Sequence, residues 1–449
     1  MPHERSTLRK RVKRYAKVST AMAGFGARAA GKRYLGISVD RQKQAERLRL
    51  ALGGLKGPLM KVAQLLSTIP DVVPKEYAAE LAQLQADAPS MGWAFVKRRM
   101  AAELGADWES KFRSFEHEAS AAASLGQVHR AVGPDGRKLA CKLQYPDMSS
   151  VVEADLRQLK MVMAVFERYD RAVSTKKVHE EISDRLHEEL DYAREAKHIA
   201  LYRQMVDNVK GVHVPEVIKP LSTGRLLTMT WLQGERIAAL AGKKPQKDRN
   251  AIAVNMFRAW YTPFYYYGVI HGDPHLGNYT VREDNSLNLL DFGCIRVFKP
   301  ALVQGVITLY EALRKKDRDM AAEAYKAWGF KNPSKDLVDT LNIWAQFIYA
   351  PLLEDKTRPI DETNTGLYGR ETANKVHREL RKLGGVEVPR EFVFMDRAAI
   401  GLGSVFLRLG AEINWYRMFH EMIKEFDVDG LAKRQVTALK KTGLVSANQ

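Results

Sequence analysis

The spacing of apolar positions predicts a helical beginning, a small sheet and a long helical remainder. Between residues 40 and 104 the apolar side chains recur at helical spacing, with breaks at glycines and prolines. From Phe112 onward the apolar runs become short, and a Pro-Asp-Gly turn at residues 134–136 leads into the run 138–143. A turn of this composition next to a run of this length predicts a β-hairpin.

Further along the chain, strands give way to helices. Helical spacing returns at residues 151–200, strands are predicted within residues 214–232, and helices dominate from about residue 248 except for short strands that flank Asn285. This order predicts an α+β fold with an N-terminal helical extension, a small lobe containing an antiparallel sheet and a larger helical lobe. The predicted divisions are a basic arm, the extension, the sheet lobe and the helical lobe, at residues 1–39, 40–105, 106–234 and 235–449.

The composition is that of an ordinary globular protein. Of the 449 residues, 45% are hydrophobic and 28% are charged, which excludes collagen-like and wholly disordered chains. Because the only cysteines are Cys141 and Cys294, and no Cys/His cluster has zinc-ligand spacing, we expect a reducing compartment. No stretch free of Asp, Glu, Lys and Arg exceeds 14 residues. A membrane-spanning helix needs about 18 or more apolar residues, so none is expected.

The positive charge is concentrated at the start of the chain. The net charge is +18, and residues 1–33 hold ten Lys or Arg and one acid. We favour a retained basic arm over a transit peptide, because the stretch 18–27 is too weakly apolar for a secretory signal. Such an arm could lie on anionic lipid or be a solvated tail. Nucleic acid is not expected as a partner, because the arm has few aromatic residues and the chain has no nucleic-acid motif.

The strongest chemical signal is the motif His-Gly-Asp-Pro-His-Leu-Gly-Asn at residues 271–278. It places the carboxylate of Asp273 and the carboxamide of Asn278 five residues apart on a turn. In a phosphotransfer loop of this kind, the aspartate orients or deprotonates the attacking hydroxyl, and the asparagine oxygen helps to hold a divalent metal. We predict these two catalytic roles for Asp273 and Asn278.

Two further motifs occur in the order found in protein kinases. Asp291 follows an apolar strand in an Asp-Phe-Gly motif, thirteen residues after Asn278, and a carboxylate there suits Mg²⁺ on nucleotide phosphates. Lys142 ends the run Leu-Ala-Cys-Lys, where a lysine neutralises the phosphates. Either motif alone is weak, but their order and the 18 residues from Asp273 to Asp291 support a kinase-like site.

Other segments depart from an ordinary protein kinase. The glycine-rich phosphate loop is replaced by an alanine-rich stretch sixteen residues before Lys142, and its predicted nucleotide-binding residues are Ala121, Ala122, Ala123, Ser124 and Gly126. Because alanine restricts the backbone, altered nucleotide handling is expected. Alanine runs are more often helical, so only the position favours a loop. In addition, Gly272 replaces the arginine of the catalytic loop, and no peptide-docking activation segment follows Gly293.

These motifs and departures together resemble the UbiB (AarF-domain) family of atypical kinase-like proteins, from about residue 50 to residue 420. The resemblance implies a bilobal protein-kinase-like fold. It also implies a Lys-x-Gly-Gln motif that folds over the pocket and limits peptide phosphorylation. Here Lys61 and Gln64 match that motif, with Ala63 in place of the glycine. The family's acidic Glu-x-Asp motif, near which Lys61 would lie, matches Glu189 and Asp191, and its glutamate partner of the strand lysine matches Glu195.

The acidic stretch and the strand near residue 230 can also be interpreted without the family. A buried lysine and bound phosphates need carboxylates nearby, which favours a functional acidic helix containing Glu189, Asp191 and Glu195. The alternative is a solvated helix face. The adenine is expected to meet the backbone near Met229, although Met229 could also be an ordinary core residue.

The predicted function is an ATP-binding (or ADP-binding), Mg²⁺-dependent atypical kinase or ATPase. By resemblance, it supports ubiquinone biosynthesis, with quinone-precursor lipids or quinone-biosynthesis proteins as partners. We expect a cytoplasmic location with peripheral contact at the inner face of a membrane. Two alternatives stay open: a small-molecule phosphotransferase of the aminoglycoside or choline kinase type, and a non-catalytic nucleotide-gated scaffold.

Overall fold

A computed structural model describes residues 91–123, 125–167, 175–240, 242–362, 369–383 and 388–444. The basic arm, most of the predicted helical extension with Lys61 and Gln64, and Ser124 lie outside the described residues. The chain divides into two compact units. The first comprises the residues up to Ala193 together with Ile218–Met229, and the second comprises Arg194–Val217 together with the chain from Thr230 onward.

The described α-helices, in chain order, are α1 Trp93–Leu104, α2 Met148–Glu167, α3 Thr175–Leu190, α4 Tyr192–Val206, α5 Ile237–Leu240, α6 Gln246–Tyr267, α7 Pro300–Lys315, α8 Arg318–Ala327, α9 Lys335–Tyr349, α10 Arg370–Lys382, α11 Arg390–Leu409, α12 Trp415–Ile423 and α13 Val428–Thr442. The described strands are β1 Ser114–Phe115, β2 Ala121–Ala123, β3 Gly126–Val132, β4 Lys138–Gln144, β5 Val212–His213, β6 Leu226–Thr230, β7 Glu235–Arg236, β8 Val269–His271, β9 Tyr279–Val281, β10 Leu287–Leu289, β11 Ile295–Val297, β12 Arg358–Pro359 and β13 Glu412–Ile413.

The first unit is organised around an antiparallel sheet. Its strand order is β1-β3-β4-β6, and β2 pairs with the free end of β3. The long hairpin β3–β4 runs in register from Gly126 opposite Gln144 to Val132 opposite Lys138, as the turn at residues 134–136 predicts. One face of the sheet packs on α1 in a core whose buried members include Val96, Met100, Trp108, Phe112, Leu139, Cys141 and Leu143.

Two helices of the first unit form a helical hairpin. Apolar residues three, four and seven positions apart on α2 pack against α3, and the buried cluster they form contains Val152, Leu156, Leu159, Ile182 and Leu186. This spacing is that of an amphipathic helix, so the helical prediction for residues 151–167 is confirmed.

The second unit is mainly helical, and short strands of two or three residues connect some of its helices and loops. The hairpin β9–β10 closes around Asn285, which adopts a left-handed φ of 65°, so the predicted strands on either side of Asn285 are confirmed. Residues 398–407 lie within α11 and contribute buried side chains such as Leu402 and Phe406 to the core. No helix among the described residues is long and apolar enough to cross a membrane.

Candidate active site

The loop 271–278 follows a short connection in which helix α6 leads directly into strand β8. Helix α6 ends at Tyr267 and is capped by Gly268, which adopts a left-handed φ of 63° and donates its N–H to the carbonyl of Phe264 at 2.8 Å. Glycine enters this region without steric cost, so the chain can reverse at once into β8. Strand β8 is fully buried and pairs antiparallel with β11, which places His271 opposite Ile295. The pairing brings the start of the loop to the segment that follows the Asp-Phe-Gly motif.

His271 joins the two motifs. Its side chain is 0% exposed. The ring atom Nε2 lies 2.6 Å from the carbonyl oxygen of Asp291, and Nδ1 accepts a hydrogen bond from the backbone N–H of Asp273 at 3.3 Å. With Nδ1 as the acceptor, Nε2 carries the proton and donates to Asp291. One imidazole therefore fixes the backbone at the predicted catalytic carboxylate, Asp273, and at the predicted metal ligand, Asp291.

The orientation of that imidazole is set by aromatic neighbours. The rings of Tyr202, Trp260 and Phe292 lie 6.0, 5.6 and 5.9 Å from His271, centroid to centroid. Tyr279 is 6.2 Å away, and its hydroxyl donates to the carbonyl of Asp273 at 3.3 Å. Burial raises the pKa of Tyr279 well above its usual value, so this hydroxyl keeps its proton and remains a donor.

Asp273 and Asn278 are in direct contact. The amide nitrogen Nδ2 of Asn278 donates to Oδ2 of Asp273 at 3.1 Å and also approaches its carbonyl oxygen at 3.3 Å. The other carboxylate oxygen of Asp273 accepts from the N–H of His275 at 3.3 Å. Because the amide nitrogen is bonded to Asp273, the carboxamide oxygen on the other side of Cγ is the atom that can meet a cation.

Asp291 is tied to the loop and to α4 through its neighbours in the chain. The N–H of Leu290 donates to the carbonyl of Asn278 at 2.9 Å. Phe292 is 0% exposed, its carbonyl lies 3.0 Å from Nδ1 of His198, and its N–H lies 3.5 Å from Oε1 of Glu195. Asp291 itself accepts from the N–H of Gly293 at 3.0 Å. The predicted residues of the two motifs, Asp273, Asn278 and Asp291, thus belong to one hydrogen-bonded substructure.

The glycine that replaces the kinase arginine has a steric explanation. The N–H of Gly272 donates to the carbonyl of Cys294 at 2.6 Å. A Cβ at residue 272 would lie 2.6 Å from Sγ of Cys294 and 3.2 Å from its carbonyl oxygen. Side chains larger than hydrogen therefore do not fit between β8 and the residue after the Asp-Phe-Gly motif.

In the first unit, Lys142 lies on β4 and is largely buried. Its side chain is 9% exposed, and Nζ lies 5.2 Å from the centroid of the Tyr192 ring, within the range of a cation–π interaction. Its backbone is opposite Val128 of β3. A largely buried ammonium at this position is suited to neutralise the charge of nucleotide phosphates.

The alanine-rich stretch forms a strand that pairs antiparallel with β3. Residues Ala121, Ala122 and Ala123 form β2 and pair with Val128, Gln127 and Gly126 of β3, so the helix favoured by alanine propensity is wrong here. A Cβ on Gly126 would lie 2.1 Å from the carbonyl oxygen of Leu143. Glycine is thus required at residue 126 by the close approach of β4.

The predicted acidic helix is wrong as a single element. Helix α3 ends at Leu190, whose carbonyl accepts a hydrogen bond from Nε2 of Gln144 at 2.6 Å, and α4 begins at Tyr192. Glu189 is half-buried at the end of α3, and Asp191 is exposed between the helices. Glu195 is 2% exposed, so the alternative of a solvated helix face is excluded for this residue.

The remaining predicted site residues are divided between the two units of the chain. Met229 lies in β6 and is 6% exposed, which agrees with a core residue as well as with a position near the adenine. Lys142 and the alanine strand belong to the first unit, whereas Glu195 and the Asp273 loop belong to the second. The joining of these two sets around one nucleotide therefore stays a prediction, as do the roles of Lys61, Gln64 and Ser124 outside the described residues.

The oxygen donors of the second unit suit Mg²⁺ better than a transition metal. Mg²⁺ prefers one or two carboxylates together with phosphate oxygens and water. Asp291 and Asn278 supply hard oxygen ligands of this kind. Across the described part of the chain, no group of three or more His, Cys, Asp or Glu is placed to hold a metal ion.

Three residues of this substructure were not singled out from the sequence. His198 lies one helical turn after Glu195, a spacing that places both on one face of α4 and that could have been noticed. Tyr202 follows one turn later and packs its ring 5.4 Å from Phe292. Tyr279 follows Asn278 directly, but nothing in its local sequence distinguishes it from a core tyrosine.

A strand lysine, an Asp–Asn catalytic loop and an Asp-Phe-Gly motif on this α+β framework define the protein-kinase-like class. The sequence model of the ABC1 atypical kinase-like domain matches residues 83–325. The chain therefore belongs to the ABC1 atypical kinase-like family, also known as the UbiB family, and the predicted fold class and phosphotransferase class are confirmed at the level of the family.

Curated relatives carry related names. The chain is 32% identical to "ACTIVITY OF BC1 COMPLEX KINASE 7, chloroplastic" of Arabidopsis thaliana over 290 residues, which are 63% of this chain and 42% of that protein. It is 26% identical to "Atypical kinase COQ8, mitochondrial" of Saccharomyces cerevisiae over 429 residues, 92% of this chain and 84% of that protein. The chain thus spans less than half of the chloroplastic relative and most of the mitochondrial one.

A solved structure shares the fold. It is titled the complex structure of Rv3197-erythromycin from Mycobacterium tuberculosis. It superposes with a TM-score of 0.61 and 24% identity, and the match covers 85% of this chain and 96% of that one.

Proposed function

We propose that this chain binds ATP with Mg²⁺ and either hydrolyses it or transfers its γ-phosphoryl group to a small or lipid-like acceptor. The observation that carries the proposal is the hydrogen-bonded substructure in which His271 links the backbone of Asp273 to the carbonyl of Asp291. Phosphoryl transfer depends mainly on positioning and on charge stabilisation. A rigid Asp–Asn–Asp arrangement provides both at the γ-phosphate.

Each residue has a distinct role in the proposed reaction. The carboxylate of Asp273 accepts the proton of the attacking hydroxyl or water as the new P–O bond forms and the bond to ADP breaks. The ammonium of Lys142 neutralises phosphate charge from the first unit. The alanine-rich segment at residues 121–126 would cover the phosphates with less backbone freedom than a glycine loop would have.

The metal would be held by the side-chain oxygens of Asn278 and Asp291. A metal held by these oxygens would supply positive charge to offset the phosphate charge of the nucleotide. Glu195 is the proposed partner of Lys142, in keeping with its burial. Lys61 and Gln64, with Glu189 and Asp191, are the proposed elements that keep peptides away from the acceptor side.

The proposed biological role is support of ubiquinone biosynthesis, and it rests on the family resemblance. Its proposed partners are quinone-precursor lipids or quinone-biosynthesis proteins, and contact with the lipids would take place at a membrane surface. The ten basic residues of the arm provide electrostatic attraction to anionic lipid. Peripheral binding of this type should weaken as the salt concentration rises.

The direct test compares Asp291→Asn with Asp319→Asn, a matched control at an exposed position in the first turn of α8. Calorimetric titration with ATP and ADP, with and without Mg²⁺, measures the metal-dependent part of the affinity. We expect the parent and Asp319→Asn to bind nucleotide more tightly with Mg²⁺, and Asp291→Asn to lose most of that gain. Unchanged Mg²⁺-dependent binding in Asp291→Asn would contradict the assignment of Asp291.

A second measurement separates the outcomes of turnover. ADP and inorganic phosphate are quantified in the same reaction, with and without quinone-precursor lipids in vesicles. Equal amounts indicate hydrolysis, whereas ADP in excess of phosphate indicates transfer to an acceptor. Nucleotide binding without any ADP formation would favour the non-catalytic scaffold.

A further inference from the structure

The second unit contains a cavity of about 110 Å³ that is separate from the predicted nucleotide residues. Side chains from α6, α9, α11 and α12 line it, and most of them are aromatic or aliphatic. The aromatic members include Trp260, Tyr261, Trp344, Phe392, Phe406 and Trp415. An apolar cavity of roughly 150 Å³ binds benzene, so this smaller cavity sets an upper limit of about one ring on its ligand.

Several polar atoms of the lining rings are turned outward to the backbone. The hydroxyl of Tyr349 donates to the carbonyl of Val306 at 3.0 Å, and Nε1 of Trp415 donates to the carbonyl of Arg358 at 2.9 Å. The ring faces of these residues are therefore left to form the walls. Such faces carry negative electrostatic potential, which attracts cations.

Among the lining residues, Asp396 carries the one charged side chain. The indole Nε1 of Trp344 donates a hydrogen bond to its Oδ1. Within the part of the chain that the structure describes, Asp396 makes no ion pair. A carboxylate beside an aromatic wall with a single neutral donor is poorly compensated, because burial of a charge is costly without an opposite charge.

We propose that this cavity is a binding site for a small organic cation, an amine whose apolar body is about one ring in size. Its ammonium group would pair with Asp396, and its body would lie against the aromatic faces. Carboxylate pairing supplies specificity for the charge, and cation–π contacts with tryptophan and tyrosine supply specificity for an organic rather than a hydrated inorganic cation.

The charge state of Asp396 agrees with this role. Burial raises the pKa of Asp396 to about 6. At neutral pH the carboxylate is mostly ionised, and a bound ammonium would stabilise that form further.

The cavity also borders the catalytic substructure, because the ring of Trp260 lies 5.6 Å from His271. Binding here does not depend on the proposed nucleotide function, and the two can fail independently.

The test uses three probes of similar shape on the full chain without nucleotide: protonated benzylamine, benzyl alcohol and toluene. Binding is measured by ligand-detected NMR and by calorimetry for the parent and for Asp396→Asn, which keeps the size of the side chain and removes the charge. In the parent, we expect benzylammonium to bind at least tenfold more tightly than benzyl alcohol. In Asp396→Asn, we expect this preference to fall below twofold.

A second variant locates the binding. Ala399→Phe fills the cavity from α11 and is expected to abolish binding of benzylammonium. Retained binding in Ala399→Phe, equal affinity of the parent for benzylammonium and benzyl alcohol, or no binding of benzylammonium at millimolar concentration would each overturn the proposal. The comparison of the two probes on the parent needs no variant, so a folding failure does not leave the proposal undecided.

Discussion

Replacement of His271 tests whether this residue couples the catalytic loop to the Asp-Phe-Gly motif. Two substitutions separate its two hydrogen bonds. In His271→Asn, the shorter side chain can still accept from the N–H of Asp273, but it cannot reach the carbonyl of Asp291. In His271→Gln, the longer side chain can donate to that carbonyl, but it leaves the Asp273 N–H without its acceptor.

The magnitudes follow from burial. A buried carbonyl that loses its partner costs about 1–3 kcal/mol, and the smaller volume of asparagine adds about 1 kcal/mol for the void. His271→Asn should therefore lower the free energy of unfolding by about 2–4 kcal/mol in total. The N–H of Asp273 is only partly buried, so its loss in His271→Gln should cost about 1 kcal/mol.

The functional consequence is measured by Mg²⁺-dependent ATP binding and by urea unfolding of the same samples. A loss of about 1.4 kcal/mol in the positioning of Asp291 corresponds to about tenfold weaker binding. We expect a loss of this size in His271→Asn and a much smaller one in His271→Gln. If the two variants bound ATP equally, or if the glutamine variant were the weaker binder, the proposed coupling through the Asp291 carbonyl would be refuted.

Three further predictions come from close contacts and from the cavity. Gly401→Ala would place a Cβ 2.0 Å from Cγ of Pro274. This clash should slow ATP turnover and destabilise the protein by about 1–3 kcal/mol, although alanine has the better helix propensity. Unfolding and turnover assays check this, and a more stable, fully active variant would contradict it. Gly126→Ala should weaken ATP binding, because its Cβ would lie 2.1 Å from a backbone oxygen of β4, and unchanged affinity in calorimetry would argue against a role of the β2–β3 turn. The pKa of Asp396 is about 6 in the folded protein, which is above its value in the unfolded chain. The folded protein therefore binds more protons at Asp396, and the contribution of this residue to stability falls as the pH rises from about 4 to 7. Urea titrations should show Asp396→Asn gaining stability relative to the parent over that range, and parallel curves would refute this.

Much of the site could be predicted from the sequence because its chemistry depends on short spacings. The loop at residues 271–278 and the Asp-Phe-Gly motif each occupy a few consecutive residues, and their order in the chain is informative. The β3–β4 hairpin was also predictable, because a Pro-Asp-Gly turn lies between two runs of strand length. Each of these signals consists of neighbouring residues, so it can be recognised in a single sequence without knowledge of contacts between distant residues.

Contacts between distant residues could not be predicted in this way. Twenty residues separate His271 from Asp291, and 127 separate Pro274 from Gly401, so no local pattern reports either contact. The alanine stretch shows a related failure, because pairing with β3 overrides the helix propensity of alanine. Likewise, the break between α3 and α4 coincides with a hydrogen bond from Gln144, 46 residues upstream of Leu190.

The break between α3 and α4 has a functional consequence. Glu195 and His198 are three residues apart, so they lie on one face of α4, and both approach the backbone of Phe292. The ring of Phe292 is in turn packed on Tyr202, one helical turn after His198. A movement of α4 would therefore shift the backbone beside Asp291, the proposed metal ligand. In kinases the position of the corresponding helix controls whether the metal-binding aspartate is in place. In this chain, the same control would act through three side chains of α4 that contact Phe292, the residue after Asp291: Glu195, His198 and Tyr202.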